Sequence, residues 1–243
     1  MAVSSSFTAI VLTIVAFQAE PPPGLVRRVA EREALSEQAR ANYLYRQEVR
    51  VEEFGGRMGS PSGYYSETRE VIFSPDGKRA EQFVGKPQSH LQRLVLTDED
   101  FADIRNIQPL LLTPELLPRY SVRFRGEEMV DGVDCWVLEI KPRQILMGMR
   151  LFEGEAWVDK QSLSIVRTHG QAVPPVYSKG QENLFPRFTT LRAPVDGFYF
   201  PVLTHADDTL PFKTGPLRMK LTIKYSGYRR FASESKITFE PPE

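Results

Sequence analysis

Alternation with a period of two, repeated along most of the chain, restricts the folds open to this sequence more than any other feature. From Tyr43 to Val51 the odd positions are mostly apolar and the even positions mostly charged. A strand with one buried face requires this pattern, because successive side chains point to opposite sides of the sheet. It returns at Arg69–Phe73 and at Tyr120–Arg125. It is clearest at Leu217–Tyr225, where Leu217, Met219, Leu221, Ile223 and Tyr225 share one face and Arg218, Lys220 and Lys224 take the other. Asp76-Gly77, Asp131-Gly132 and Asp196-Gly197 fall between such runs. Asp-Gly pairs supply the positive φ angles of tight hairpins. Asp159–Ser162 reads as a further turn, joining Glu155–Val158 to Leu163–Thr168. Short connections force antiparallel neighbours, so the expectation is roughly nine to eleven strands in one large, strongly curved antiparallel meander.

Some strands are apolar on both faces. In Val133–Ile140, Val137 points one way while Trp136, Leu138 and Ile140 point the other, and Tyr199–Leu203 is similar. A sheet curved around an interior and also covered outside explains this; a two-layer β-sandwich is the alternative.

Two stretches break the alternation. Thr97–Ile107 reads as a short helix capped by Thr97 or Asp98, with acidic residues in its first turn. It leads into Gln108–Pro118, where five leucines sit among three prolines that forbid a long helix. The second stretch, Ile145–Phe152, carries Met147 and Met149. Leaving five leucines exposed would forgo on the order of 10 kcal/mol, comparable to the net stability of a domain, so they must be covered. They plug the concave face permanently, act as a lid over an apolar pocket, or dock a protein partner.

At the N-terminus, Phe7–Phe17 is an uninterrupted apolar run, shorter than the ~20 residues of a membrane span and suited to the core of a secretory signal. Residues 1–19 are expected to be a signal peptide and residues 20–243 a single β domain, exported to the periplasm or beyond, with no transmembrane span in the mature chain. Leu25–Ala41 reads as one helix, with Leu25, Val29, Leu35 and Ala39 at helical spacing.

The chain has 31 basic and 31 acidic residues, a balance that argues against nucleic acid as a partner. The lone cysteine, Cys135, lies on an apolar strand and reads as buried. Of the histidines, His90, His169 and His205, none stands at metal-ligand spacing, and Gly59–Gly63 puts Pro61 where a hydrolase elbow needs its nucleophile. Glu153 and Glu155 share a strand face, so an enzyme reading would require Glu153, Glu155 or His205 to line a cleft. The expectation is a non-enzymatic protein without cofactor or metal.

Three stretches carry a resemblance. Val130–Ile140 is similar to the "G-x-x-c-y-v-L-e-v" strand of the LolA-like fold, Phe152–Arg167 to its "w-i-D-k-…-p-v-r" hairpin, and Gly197–Pro201 to its "dgf-w-l-P" turn. That fold includes periplasmic lipoprotein carriers, outer-membrane lipoprotein-sorting proteins and RseB/MucB sensor domains. The resemblance implies an incomplete β-barrel, its concave face covered by an N-terminal helix and a helical or loop lid, with acyl chains bound inside. Trp136, Leu138, Trp157, Phe200, Leu221 and Ile223 are then the candidate apolar wall. Leu110, Leu111, Leu112, Leu116, Leu117, Ile145, Leu146, Met147 and Met149 are the candidate lid. The expected partner is a lipid or an acylated protein. A protein-interaction or envelope-sensor module with a permanently filled core is the alternative.

Overall fold

The computed structural model describes residues 20–55, 59–73, 79–106, 112–145, 150–178 and 181–230. Helix α1, Leu25–Arg40, opens the described chain. Four strands follow: β1 (Tyr43–Phe54), β2 (Gly63–Phe73), β3 (Arg79–Phe83) and the two-residue β4 (Gln88–Ser89). Helix α2, Asp98–Asn106, and a 3-10 turn, Leu117–Arg119, interrupt the strands. Then come β5 (Tyr120–Val130), β6 (Val133–Pro142), β7 (Leu151–Asp159) and β8 (Ile165–Val173). The short β9 (Val176–Ser178) and β10 (Gln181–Asn183) precede β11 (Phe188–Val195), β12 (Phe198–Leu210) and β13 (Leu217–Arg230).

Eleven strands form one antiparallel sheet in the order β3-β2-β1-β13-β12-β11-β8-β7-β6-β5, with β4 beside β2; β9 and β10 pair separately. The large sheet is open, with β3 and β5 at its ends, and among the described residues the one other sheet is the β9–β10 pair. The two described Asp-Gly hairpins take the expected geometry. Asp131 and Gly132 have φ of 48° and 84°, and Asp196 and Gly197 have 47° and 84°. The Asp159 turn is held by its carboxylate, which accepts from the backbone amides of Gln161 and Ser162 and from the Ser162 hydroxyl. Asp76-Gly77 and the expected signal segment lie outside the described residues.

The curvature follows from the packing. Val71 of β2 and Ile140 of β6 belong to the same buried cluster. They lie seven strands apart in the sheet order, which would be ~34 Å on a flat sheet at ~4.8 Å per strand. A sheet rolled toward its concave side gathers both wings around one core. Val49 and Val51 of β1 sit beside Ile223 and Leu221 of β13, their register partners, on that concave face, with Tyr45 and Tyr225 in the same cluster. A second, smaller cluster occupies the other side of the β6–β8 region: Val130, Cys135, Val137, Trp157 and Val166, with Val133 and Tyr199. This is why β6 is apolar on both faces.

Helix α1 packs Leu25, Val29, Ala30, Glu33 and Ser36 inward. Leu35, expected in the packed stripe, is 52% exposed. The true stripe runs through Glu33, whose charge hid it from a reading based on apolar spacing. Among the described residues no helix is long and apolar enough to cross a membrane.

Candidate functional site: the concave face and its flap

The concave floor is apolar where β1 and β13 meet. Val51, Leu221 and Ile223 are buried there, with Met219 beside them. Across this floor lies a flap made of residues 91–97, α2 and residues 112–119. Ile104 and Leu112 are fully part of the core, and Leu91, Leu94, Leu96, Phe101, Leu116 and Leu117 are partly buried against it.

Apolar contact is supplemented by a few polar tethers. The buried Glu53 carboxylate, on the inward side of β1, accepts from the backbone amides of Gln92, Arg93 and Leu94. That pins the flap's entry. Thr97 and Asp100 then cap α2 reciprocally: the Asp100 carboxylate accepts from Thr97 N–H at 2.7 Å, and the Thr97 hydroxyl accepts from Asp100 N–H at 3.3 Å. On one flank, Phe101 meets Tyr65 of β2 edge-on at 5.6 Å. Arg79 of β3 donates to the Arg105 carbonyl at the helix end and to Gln47 of β1. On the other flank, Asp103 pairs with Arg150 at 3.0 Å, immediately before β7.

These tethers span the mouth of the sheet. Strands β3 and β7 are seven places apart in the sheet order, ~34 Å if flat. Helix α2 has 9 residues, so it is only ~13 Å long. It reaches both wings because the sheet curls, and it bridges them like a clasp.

Both buried carboxylates of α2 are hard to keep charged. Burial pushes Asp103 up to about 7 even though Arg150 pulls the other way, and neighbouring Asp100 and Glu99 add to the rise. Asp100 is also raised by burial, against its hydrogen bonds to Thr97.

At the seam between flap and floor is a small pocket lined by Val51, Leu94, Leu96, Asp100, Ile104, Leu184, Phe185, Pro186, Met219 and Leu221. Its free space of about 20 Å³ is the room of about one water. The concave face there is filled by the protein's own side chains.

The expected wall residues divide into three groups. Leu138, Leu221 and Ile223 line the core, and Trp136 is half-buried against it. Phe200 is buried in an aromatic group with Tyr43 and Tyr228, each 5.2 Å away, and with Phe198. Trp157 does not join them. It pairs in register with Val137 and belongs to the outer cluster, where its indole N–H donates to Glu128 and Arg167 stacks on its ring. A β-bulge between Trp157 and Val158 accompanies this placement. Of the expected lid, Leu112 lies in the core, and Leu116 and Leu117 pack against it. Ile145 does not: it is 63% exposed, in the link after β6. Leu110, Leu111, Leu146, Met147 and Met149 lie outside the described residues.

The enzyme candidates Glu153, Glu155 and His205 do not line the seam pocket. Glu155, His169, Thr189 and His205 are register neighbours across β7, β8, β11 and β12. Glu155 stands two residues from Trp157 on β7, and so on the outer face with it. The His169 imidazole bonds the Thr189 hydroxyl at 3.0 Å. Among the described residues no group of three or more metal-ligating side chains gathers. Cys135 is buried and its thiol is pushed up to about 11 by desolvation, the opposite of nucleophile activation.

Alternation alone did not reveal Glu33, Glu53, Asp103, Arg150 and Arg192. Glu33 and Arg192 form a buried pair between α1 and β11 at 2.9 Å, with side chains 1% and 2% exposed. A signal existed for Glu53 and Glu33: each carries a charge at a position whose period places it inside.

No known family description matches the chain, and no curated protein does. Among solved structures it is similar to a DUF1329 family protein from Desulfovibrio piger, at 16% identity and a TM-score of 0.45, over 86% of this chain and 95% of that one. It is similar to a LolA superfamily protein from Nitrosomonas europaea at 14% identity and 0.34, over 83% and 94%. It is also similar to MucB in complex with MucA(peri), at 14% and 0.26, over 86% and 99%. None of these scores reaches 0.5, so the function of the site is argued from its own residues.

Proposed function

We propose that this chain is an exported binding protein that receives an apolar chain, the acyl chain of a lipid or lipoprotein, between the α2 flap and the concave floor. The observation that carries the reading is the seam itself. A short flap lies over an apolar floor, tied to both wings of the sheet, and leaves a small pocket between them. Ligand pockets usually measure several hundred Å³, so a ligand must lift the flap rather than slip beneath it. The energetics permit this. Exposing three flap side chains such as Phe101, Ile104 and Leu112 costs about 6 kcal/mol. An acyl chain gains ~0.8 kcal/mol per buried CH₂, so roughly eight carbons offset that cost.

A second reading is supported by the same pocket's small size. A floor already filled by protein side chains suits an envelope sensor or interaction module with a permanent core. Binding of an environment-sensitive apolar dye to delipidated protein separates the two. The carrier reading expects fluorescence enhancement that a long-chain fatty acid competes away, and a lipid mass in native mass spectrometry of protein purified from its host. Absent dye uptake, with a bare mass and a co-purified protein, would replace it with the second reading.

A further inference from the structure

We infer that the flap end of the sheet docks on the anionic surface of a lipid bilayer, through a basic rim of Arg123, Arg125, Lys141 and Arg143 and the apolar side chains of Val95 and Ile145. The inference extends the acyl-binding reading by naming the surface that supplies or takes the chain. The rim is built by the first half of β5, an edge of the sheet, and the end of β6. Arg123 and Glu139 are register partners, and Lys141 and Arg143 follow Glu139 at intervals of two. The pairing runs on past β6, since the Arg143 amide donates to the Arg119 carbonyl at 2.8 Å. Val137 belongs to the outer cluster, so Glu139 and Lys141 also face outward. Arg125 stands at the bulge between Phe124 and Gly126. The four cations are exposed, and three of them act on one carboxylate. Lys141 pairs with Glu139 at 2.9 Å, and that bond, with the charges of Lys141, Arg125 and Arg123, holds the Glu139 carboxyl below its ordinary value. The nearest further acid in register, Glu155, lies one strand inward on β7, so positive charge takes the outermost position. Toward the other end of β5 the sign reverses at Glu127 and Glu128, which are tied to Lys160 and Trp157.

This rim adjoins the seam. Strand β5 follows directly on Leu116 and Leu117 of the flap. The antiparallel registers put the end of β1, the start of β13, the end of β6 and the start of β5 at one end of the sheet. Val95 stands there beside Leu94, whose amide is held by Glu53 near the end of β1. Ile145 stands there two residues past Arg143. They are 68% and 63% exposed. Single exposed apolar side chains are ordinary, but two at the end that bears the basic rim and the seam make that end amphipathic. A bilayer interface answers both halves: lipid phosphates take the guanidinium and ammonium groups, and the acyl boundary takes the apolar tips. An acidic protein surface would answer the cations alone.

The test is co-sedimentation of the full-length protein with two kinds of vesicle, phosphatidylcholine alone and phosphatidylcholine containing about one third phosphatidylglycerol. The readout is the preference for the second over the first, so binding through the apolar N-terminal run, common to both, cancels. The protein is expected to prefer the anionic vesicles at low salt and to lose that preference at about 0.5 M salt. Combining Arg123→Gln, Arg125→Gln and Arg143→Gln should lower the preference on the order of a hundredfold, about fivefold per cation. Arg229→Gln, at the opposite end of β13, should leave it unchanged. Combining Val95→Ser with Ile145→Ser should weaken binding to the anionic vesicles severalfold. The comparison of vesicles on the unaltered protein needs no variant, so misfolding of a variant leaves the test intact. Equal binding to both vesicles, or a preference that the triple variant keeps, overturns the docking face. Salt-sensitive binding of polyglutamate with no preference between vesicles reassigns the rim to an acidic protein and overturns the bilayer. Dye displacement by a fatty acid reports separately on the acyl-binding reading: its failure beside an intact vesicle preference discards the carrier and leaves the docking face standing.

Discussion

Asp103 pits two forces against each other at one side chain, and desolvation exceeds the attraction of Arg150. The consequence for stability has a definite sign. In the unfolded chain this carboxyl titrates near its ordinary value of 3.8, whereas in the fold it is raised to about 7. Between these values the folded protein keeps a proton that the unfolded chain has lost, so stability falls as pH rises through that window and levels off above it. Asp103→Asn should remove this contribution. Urea midpoints taken at about pH 5 and about pH 8 should then differ less in the variant than in the parent; an unchanged difference would show that Asp103 does not titrate there. Glu53 poses a different problem. Its two oxygens receive three backbone amides of the flap's entry, and an amide side chain offers only one acceptor oxygen. Glu53→Gln is therefore expected to cost about 2 kcal/mol in urea unfolding, because a buried donor is left without its acceptor. A loss under half a kcal/mol would mean that those amides find other partners.

Among the elements, strand alternation was legible wherever one face is wet, as at β1 and β13, and the Asp-Gly hairpins were legible because their geometry is local. Helix α2 was legible from its cap and acidic first turn, and the flap leucines because leaving them exposed is too costly. The face assignment of Trp157 was not. Its strand is apolar on both sides, and no local rule tells which of two apolar faces is concave. Helix α1 was legible as a helix but its buried stripe was misread, since Glu33 sits inside only because Arg192 of β11, 159 residues later, meets it. That pairing is a tertiary fact with no local trace. Breaking it from one side should be much worse than replacing both partners. Glu33→Ala or Arg192→Ala alone is expected to cost about 3–5 kcal/mol, whereas combining Glu33→Leu with Arg192→Met should recover most of it. If the double variant is no more stable than the singles, the pair contributes more attraction than its desolvation removes.

For the molecule as a whole, the roll of the sheet follows from no single segment. It emerges when α2, too short to cross a flat sheet, ties β3 to the start of β7. This sets up two tiers of stability. The central strands β12, β13 and β1 are paired along long registers on both sides, so their amides open only with the whole fold. The flap combines buried anchors, Ile104 and Leu112, with half-buried side chains, Leu91, Leu94, Leu96, Phe101, Leu116 and Leu117, and a part-buried segment of this kind opens locally before the rest. Hydrogen exchange should therefore show α2 protected by markedly less free energy than the amides at Val49 and Ile223. Adding a long-chain fatty acid should speed the exchange of α2 selectively, because an apolar chain in the seam lifts the flap from its tethers. Exchange of α2 at the global rate, with or without ligand, would mean that the flap never lifts on its own; the concave face would then be a sealed core, and the sensor reading would take the place of the carrier.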